Sequence, residues 1–234
     1  MNTFLGRFQK PGLAGMAGGA RKGPKIRPMS IILNASEIRV LGALIEKRMT
    51  TPDGYPLTLN SLVTACNQSS NRHPIVEYDQ FIVNDALINT RNQNLSALLS
   101  KSGARAHKFA ERLCDALSLS DKESAIMAEL MLRGPQTPGE LRQRASRMAE
   151  LPDLGEVERL LDGLASRSTP LVVQLPRQPG KREARYAHLL AGEVDVSSLE
   201  SAPEPVSSRE RGLAERVAAL EAQMAEVMAR LEGL

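Results

Sequence analysis

The same order of apolar patterns occurs twice along this chain, and a repeated supersecondary unit leaves few ways to fold. In the first pass, "NASEIRVLGALIEKRM" reads as a helix with Ser36 as N-cap and Ile38, Leu41, Leu44 and Ile45 in one stripe. "TTPDGYP" breaks the chain, and "LTLNSLVTACNQ" gives a short helix with Leu59, Leu62, Val63 and Cys66 inward. After the polar turn "SSNRHP", a third helix runs from about Tyr78 to Asn89, with Phe81, Ile82, Asp85 and Ile88 spread around it. Two strands at about 95–100 and 106–109 are joined through Ser102-Gly103, which suits a hairpin turn.

The second pass repeats the order. Ser120 caps a helix carrying Ala125, Ile126, Leu130 and Met131. In "TPGELRQRASRM", Thr137 is an N-cap, Pro138 the first helical residue and Glu140 the completing residue of a capping box. A third helix follows from about Gly155 to Ser166, with Val157, Leu160, Leu161 and Leu164 inward. "PLVVQL" and "ARYAHLL" are strands joined by the loop "PRQPGKRE". The expected fold is therefore mainly α with small β-hairpins (α+β), built as two tandem winged helix-turn-helix domains. Their expected limits are 33–110 and 119–193.

The flanks differ from this body. Residues 1–32 are rich in Gly and Pro and lack periodicity, so they read as a disordered basic leader. That leader is either an arm touching nucleic acid or a tail, the latter including an upstream start with Met29 as the true first residue. Residues 194–209 form an acidic, Pro- and Ser-containing linker. Over 210–234, Leu213, Val217, Leu220, Met224, Val227 and Leu231 alternate steps of four and three, an a/d stripe. It predicts a C-terminal coiled-coil helix and a homodimer; the competing reading is a single amphipathic helix folded back on the body.

Charge is meaningful only once it is located. The net charge is +3, yet residues 1–36 hold six basic residues and no acid, leaving 24 basic against 27 acidic residues elsewhere. Aromatics at 3% with no Trp argue against a stacking platform for single-stranded nucleic acid. Cys66 and Cys114, each among apolar residues, read as buried thiols in a reducing compartment. With no run of membrane-span length and no secretory apolar core, the expected location is cytoplasmic.

Catalytic chemistry has no motif here. His73, His107 and His188 lie far apart without Cys, Asp or Glu at metal-ligand spacing, so no metal and no cofactor is expected. Nucleophile-elbow, Walker and His-Glu-x-x-His patterns are absent from the sequence, and the expected protein is not an enzyme.

Three stretches resemble the YceH family of uncharacterised bacterial proteins. They are "RVLGALIEKRMTTPDGYPLTLNSLVTACNQSSNRHP", "LRGPQTPGELRQRASRM" and "LPRQPGKREARYAHLLAGEV", whose order covers about Leu33 to Val194. The region from Gln80 to Ala97 departs most from that family's pattern. The resemblance implies a pair of winged helices, a short terminal coiled coil, a start near Met29 and no enzyme activity.

Two binding functions follow. Duplex DNA would meet the wings at Lys101, Arg105 and Lys108 and at Arg177, Lys181, Arg182 and Arg185. Asn71 and Arg72 in the polar turn, with Arg142 and Arg147 on the short second helix, would help to position it. Acids on the third helices, Glu77, Asp79, Asp85, Asp153, Glu156, Glu158 and Asp162, oppose groove reading. The alternative is a protein-interaction scaffold, like the tandem winged-helix subunit that partners kleisins in bacterial condensin. Exposed apolar patches on one wing face would favour the scaffold, and a continuous positive face across both wings the DNA.

Overall fold

A computed structural model describes residues 31–99, 106–178 and 183–194. The leader, the two loop segments carrying Lys101, Arg105, Lys181 and Arg182, and the heptad stripe Leu213–Leu231 lie outside the described residues. Within them the protein is a mixed α and β structure with small antiparallel sheets.

Helix α1 spans Ala35–Thr50. Its N-cap is Asn34 rather than the expected Ser36: Asn34 Oδ1 accepts from the Glu37 amide, and the Glu37 carboxylate accepts from the Asn34 amide. Ser36 instead donates its hydroxyl to Asn34 Oδ1. An Asn two residues earlier offers the same capping chemistry, so the start slipped by half a turn. A 3-10 turn at Pro52–Gly54 leads to strand β1, Leu57–Thr58, and Thr58 caps α2, Leu59–Cys66. Asp79 caps α3, Gln80–Asn92. Strands β2, Ser96–Leu99, and β3, Lys108–Glu111, complete a three-stranded sheet of order β1-β3-β2. Leu57 and Leu98 both pair with Phe109 across it.

A short helix α4, Leu113–Ala116, links to α5, Asp121–Arg133, which opens at the expected cap Ser120, with Glu123 completing a capping box. Gly134 ends α5 at φ 78°, a left-handed backbone that glycine adopts without Cβ strain. Thr137 caps α6, Pro138–Ala145, with Glu140 closing the box, and Asp153 caps α7, Leu154–Ala165. Strands β4, Val172–Gln174, and β5, Tyr186–His188, pair antiparallel. The halves correspond in detail. Thr58 and Thr137 cap the second helices, Asp79 and Asp153 the third. Gln136, just before α6, bridges to Tyr186 as Leu57, just before α2, pairs with Phe109.

Packing separates this molecule from two beads on a string. Val40, Ala43 and Leu44 of α1 enter one apolar cluster with Leu62, Leu87 and Phe109. Ile38, Leu41 and Ile45 of the same helix enter another with Ile126, Leu130, Leu141, Leu161 and Tyr186. Leu132 of α5 in turn fills the first cluster. The two helices approach closely at Gly42, where an added Cβ would lie 3.1 Å from the Leu132 side chain and 3.2 Å from Met131 Cβ. Leu33 donates its amide to the Leu190 carbonyl, so the start of the first half is stitched to the end of the second. Helix α1 is thereby buried nearly all round, which forces any polar group on it to find an internal partner.

On β5, His188 Nδ1 is buried without a hydrogen-bond partner, and burial pushes the imidazole down to about 4. The folded state keeps His188 neutral while the unfolded chain titrates near the ordinary 6.5. Its contribution to stability is therefore complete above that value and declines as pH falls from 6.5 towards 4. Melting temperature should drop over this window, by a stability loss of at most about 3 kcal/mol at the acid end. His188→Leu should flatten the decline; an identical pH profile in the variant would refute the assignment.

Candidate interaction surface

Of the arginines expected to face a nucleic acid, Arg72 turns inward, whereas Arg142, Arg147 and Arg177 remain exposed. Arg72 is 5% exposed. Its guanidinium donates to both Glu46 carboxylate oxygens, at 3.2 and 2.5 Å, and to the Ala65 and Asn71 carbonyls. The Arg72 donors are thus engaged inside the protein. Arg147 bridges the halves, with Nη1 2.6 Å from Glu46 and Nη2 2.6 Å from Glu129. Its side chain keeps 32% exposure while its guanidinium serves two buried carboxylates. Asn71, held at φ 58°, accepts from Arg133 through Oδ1. Arg133 Nε lies 3.2 Å from Glu129 as an ion contact without hydrogen-bond alignment.

These groups form one network of Glu46, Glu129, Arg72, Arg133 and Arg147, with the carboxylate side chains at most 1% exposed. Burial alone pushes the Glu46 carboxyl up, but hydrogen bonds and charge from Arg72, and then from Arg147, outweigh it and hold the group below its ordinary value. Beside the network, Arg39 is buried on α1 and donates to the carbonyls of Cys66 and Pro74. Sequence reasoning missed Glu46, Glu129, Arg133 and Arg39. The available signal was a charge inside a helix whose apolar residues encircle it, as in "LGALIEK" and "IMAELML".

The remaining positions separate. Arg142 donates to the carbonyls of Leu151 and Pro152, closing the turn after α6. Arg144 pairs with Glu140 and donates to Gln136 Oε1. Lys108 is exposed on β3, Arg177 is exposed after β4, and Arg185 is half-buried before β5. Lys101, Arg105, Lys181 and Arg182, and the six heptad residues, lie outside the described residues. Cys66 and Cys114 are free and buried, and burial pushes each thiol up to about 12.

The surface also presents an apolar face. Helix α3 buries Val83, Ala86, Leu87 and Thr90. Its opposite side exposes Phe81 at 84% and Ile88 at 43%, and its flank exposes Ile82 at 40%. Phe81, Asp85 and Ile88 fall within about 60° of one another at 100° per residue, on a face with no basic residue between them. Among the described residues there is no group of three or more His, Cys, Asp or Glu placed to hold a metal ion, and no helix long and apolar enough to cross a membrane.

The profile of a protein family of unknown function, DUF480, matches residues 33–181. The UPF0502 protein GSU0233 of Geobacter sulfurreducens is 50% identical over 199 residues, covering 84% of this chain and 90% of that protein. A UPF0502 protein of Geotalea uraniireducens is 49% identical over the same shares of each chain. The UPF0502 protein YceH of Salmonella paratyphi B is 48% identical over 212 residues, covering 88% of this chain and 97% of its own.

Proposed function

The chain belongs to the DUF480 family, and for this member we propose a non-enzymatic protein-interaction module built from two winged helices. The winged-helix reading rests on the twice-repeated order of three helices and an antiparallel hairpin, with matching caps at Thr58 and Thr137 and at Asp79 and Asp153. The observation that carries the function is the exposed face of α3 with Phe81, Ile82 and Ile88. Fully burying one such side chain is worth about 1.5–3 kcal/mol, so Phe81 and Ile88 on one face, with Ile82 at its flank, favour an apolar partner.

In a DNA-reading winged helix this face would enter the major groove. Here Asp79 caps the helix, Glu77 lies just before it and Asp85 stands at its centre, all of which repel phosphates. The second unit repeats the problem with Asp153, Glu156, Glu158 and Asp162 on or beside α7. A duplex-DNA reading keeps one specific support, the exposed Lys108 and Arg177.

A photo-reactive side chain placed at position 81 separates the two. Illumination in cells expressing the full chain should give protein adducts. A nucleic-acid adduct, with a salt-dependent affinity for random duplex that falls on Lys108→Ala or Arg177→Ala, would overturn the protein reading in favour of DNA.

A further inference from the structure

We propose that α3 pairs antiparallel with α3 of a second copy of this chain, through the face bearing Phe81, Asp85 and Ile88. The proposal rests on the protein-docking reading above and names its partner. Three features make this face complementary to itself. The first is spacing: Phe81 and Ile88 lie seven residues apart, almost in line, and flank the polar pair Asn84–Asp85. A two-fold axis passing between Asn84 and Asp85 brings each Phe81 towards Ile88 of the second copy.

The second feature is the centre. The same axis places each Asn84 amide beside the Asp85 carboxylate of the other copy, so the polar residues meet a donor and an acceptor instead of apolar carbon. The third is charge along the helix. Glu77 and Asp79 stand at its N-terminal end and Arg91 in its last turn. Antiparallel pairing sets Arg91 against the acidic lead of the other copy, and it opposes the helix dipoles. A parallel pair would stack acid on acid. The buried residues Val83, Ala86, Leu87 and Thr90 all lie on the far side, so pairing asks nothing of the core.

Oxidative cross-linking of the full chain carrying Asp85→Cys tests this, because the substituted position lies next to the axis. Cys66 and Cys114 are buried and do not compete. At tens of micromolar a covalent dimer should form through the introduced thiols. Adding F81E, a change at an 84% exposed position that leaves the fold intact, should lower the yield roughly tenfold. I88K should do the same. Mixing the F81E and I88K chains, both carrying Asp85→Cys, should restore cross-linking. The mixed pair keeps one Phe–Ile contact and gains one acid–base contact.

No cross-link, a yield unchanged by F81E, or a mixture no better than its components would each overturn the proposal, including the case where residues 195–234 cover α3 instead. A position-81 photo-adduct to a different protein would then leave the docking reading standing. An adduct to nucleic acid would remove both.

Discussion

Glu46→Ala is expected to destabilise the fold by roughly 3–5 kcal/mol, the cost of leaving buried guanidinium charge without its carboxylate. Arg72 has no exposed side-chain surface, and its two bonds to Glu46 are the charge-compensating ones. Arg147 would keep Glu129 and a partly exposed side chain, so most of the loss falls on Arg72. The denaturant midpoint should fall with little change in slope. The double variant Glu46→Leu with Arg72→Met should lose less than Glu46→Ala alone, because removing both charges removes the desolvation cost with the attraction. A single-variant loss below about 1 kcal/mol would mean that water reaches Arg72 and that the network is not the internal lock described above.

Leu41→Ala should cost about 2–5 kcal/mol, and the loss should be felt in both halves. Leu41 is fully buried in the cluster that α1 shares with α5, α6 and α7, while its helix neighbours Val40 and Leu44 hold the other cluster. Two native thiols report on this, since Cys114 lies in the first of these clusters and Cys66 in the second. Each thiol is held far above its ordinary value by burial and reacts only through opening. In Leu41→Ala both should alkylate faster by the same factor, in one cooperative unit. Acceleration at Cys114 alone would show that the halves open independently.

What the arginines of "TPGELRQRASRM" do illustrates how far local reasoning reaches. The cap at Thr137, the box with Glu140 and the inward Leu141 and Ala145 are all observed. The destinations of Arg142, Arg144 and Arg147 are not local. Arg147 ends on Glu46, a hundred residues earlier in the chain and on a helix of the other half. Helix α3 shows the same limit from the other side. Its apolar residues run round the whole helix, so periodicity alone did not choose between Val83–Leu87 and Phe81–Ile88 as the buried side. Contact with α1 and α2 made the choice.

The sequence by itself determined the order of α1, α2, α3, α5, α6, α7 and the two hairpins, the caps at Ser120 and Thr137, the inward stripes of α1, α5 and α7, and the buried state of both cysteines. Each of these depends on residues within a turn or two of one another, or on simple apolar surroundings. Strand β1 and helix α4 appeared only in the structure. Only the tertiary structure decided that α1 and α5 share a core, that Arg72 and Arg147 serve buried carboxylates, and that Phe81 is left facing solvent. The physical reason is that burying a charge or an apolar face depends on what arrives from a distant part of the chain. A charged residue reads alike in sequence whether water or Glu46 meets it, and only packing tells them apart.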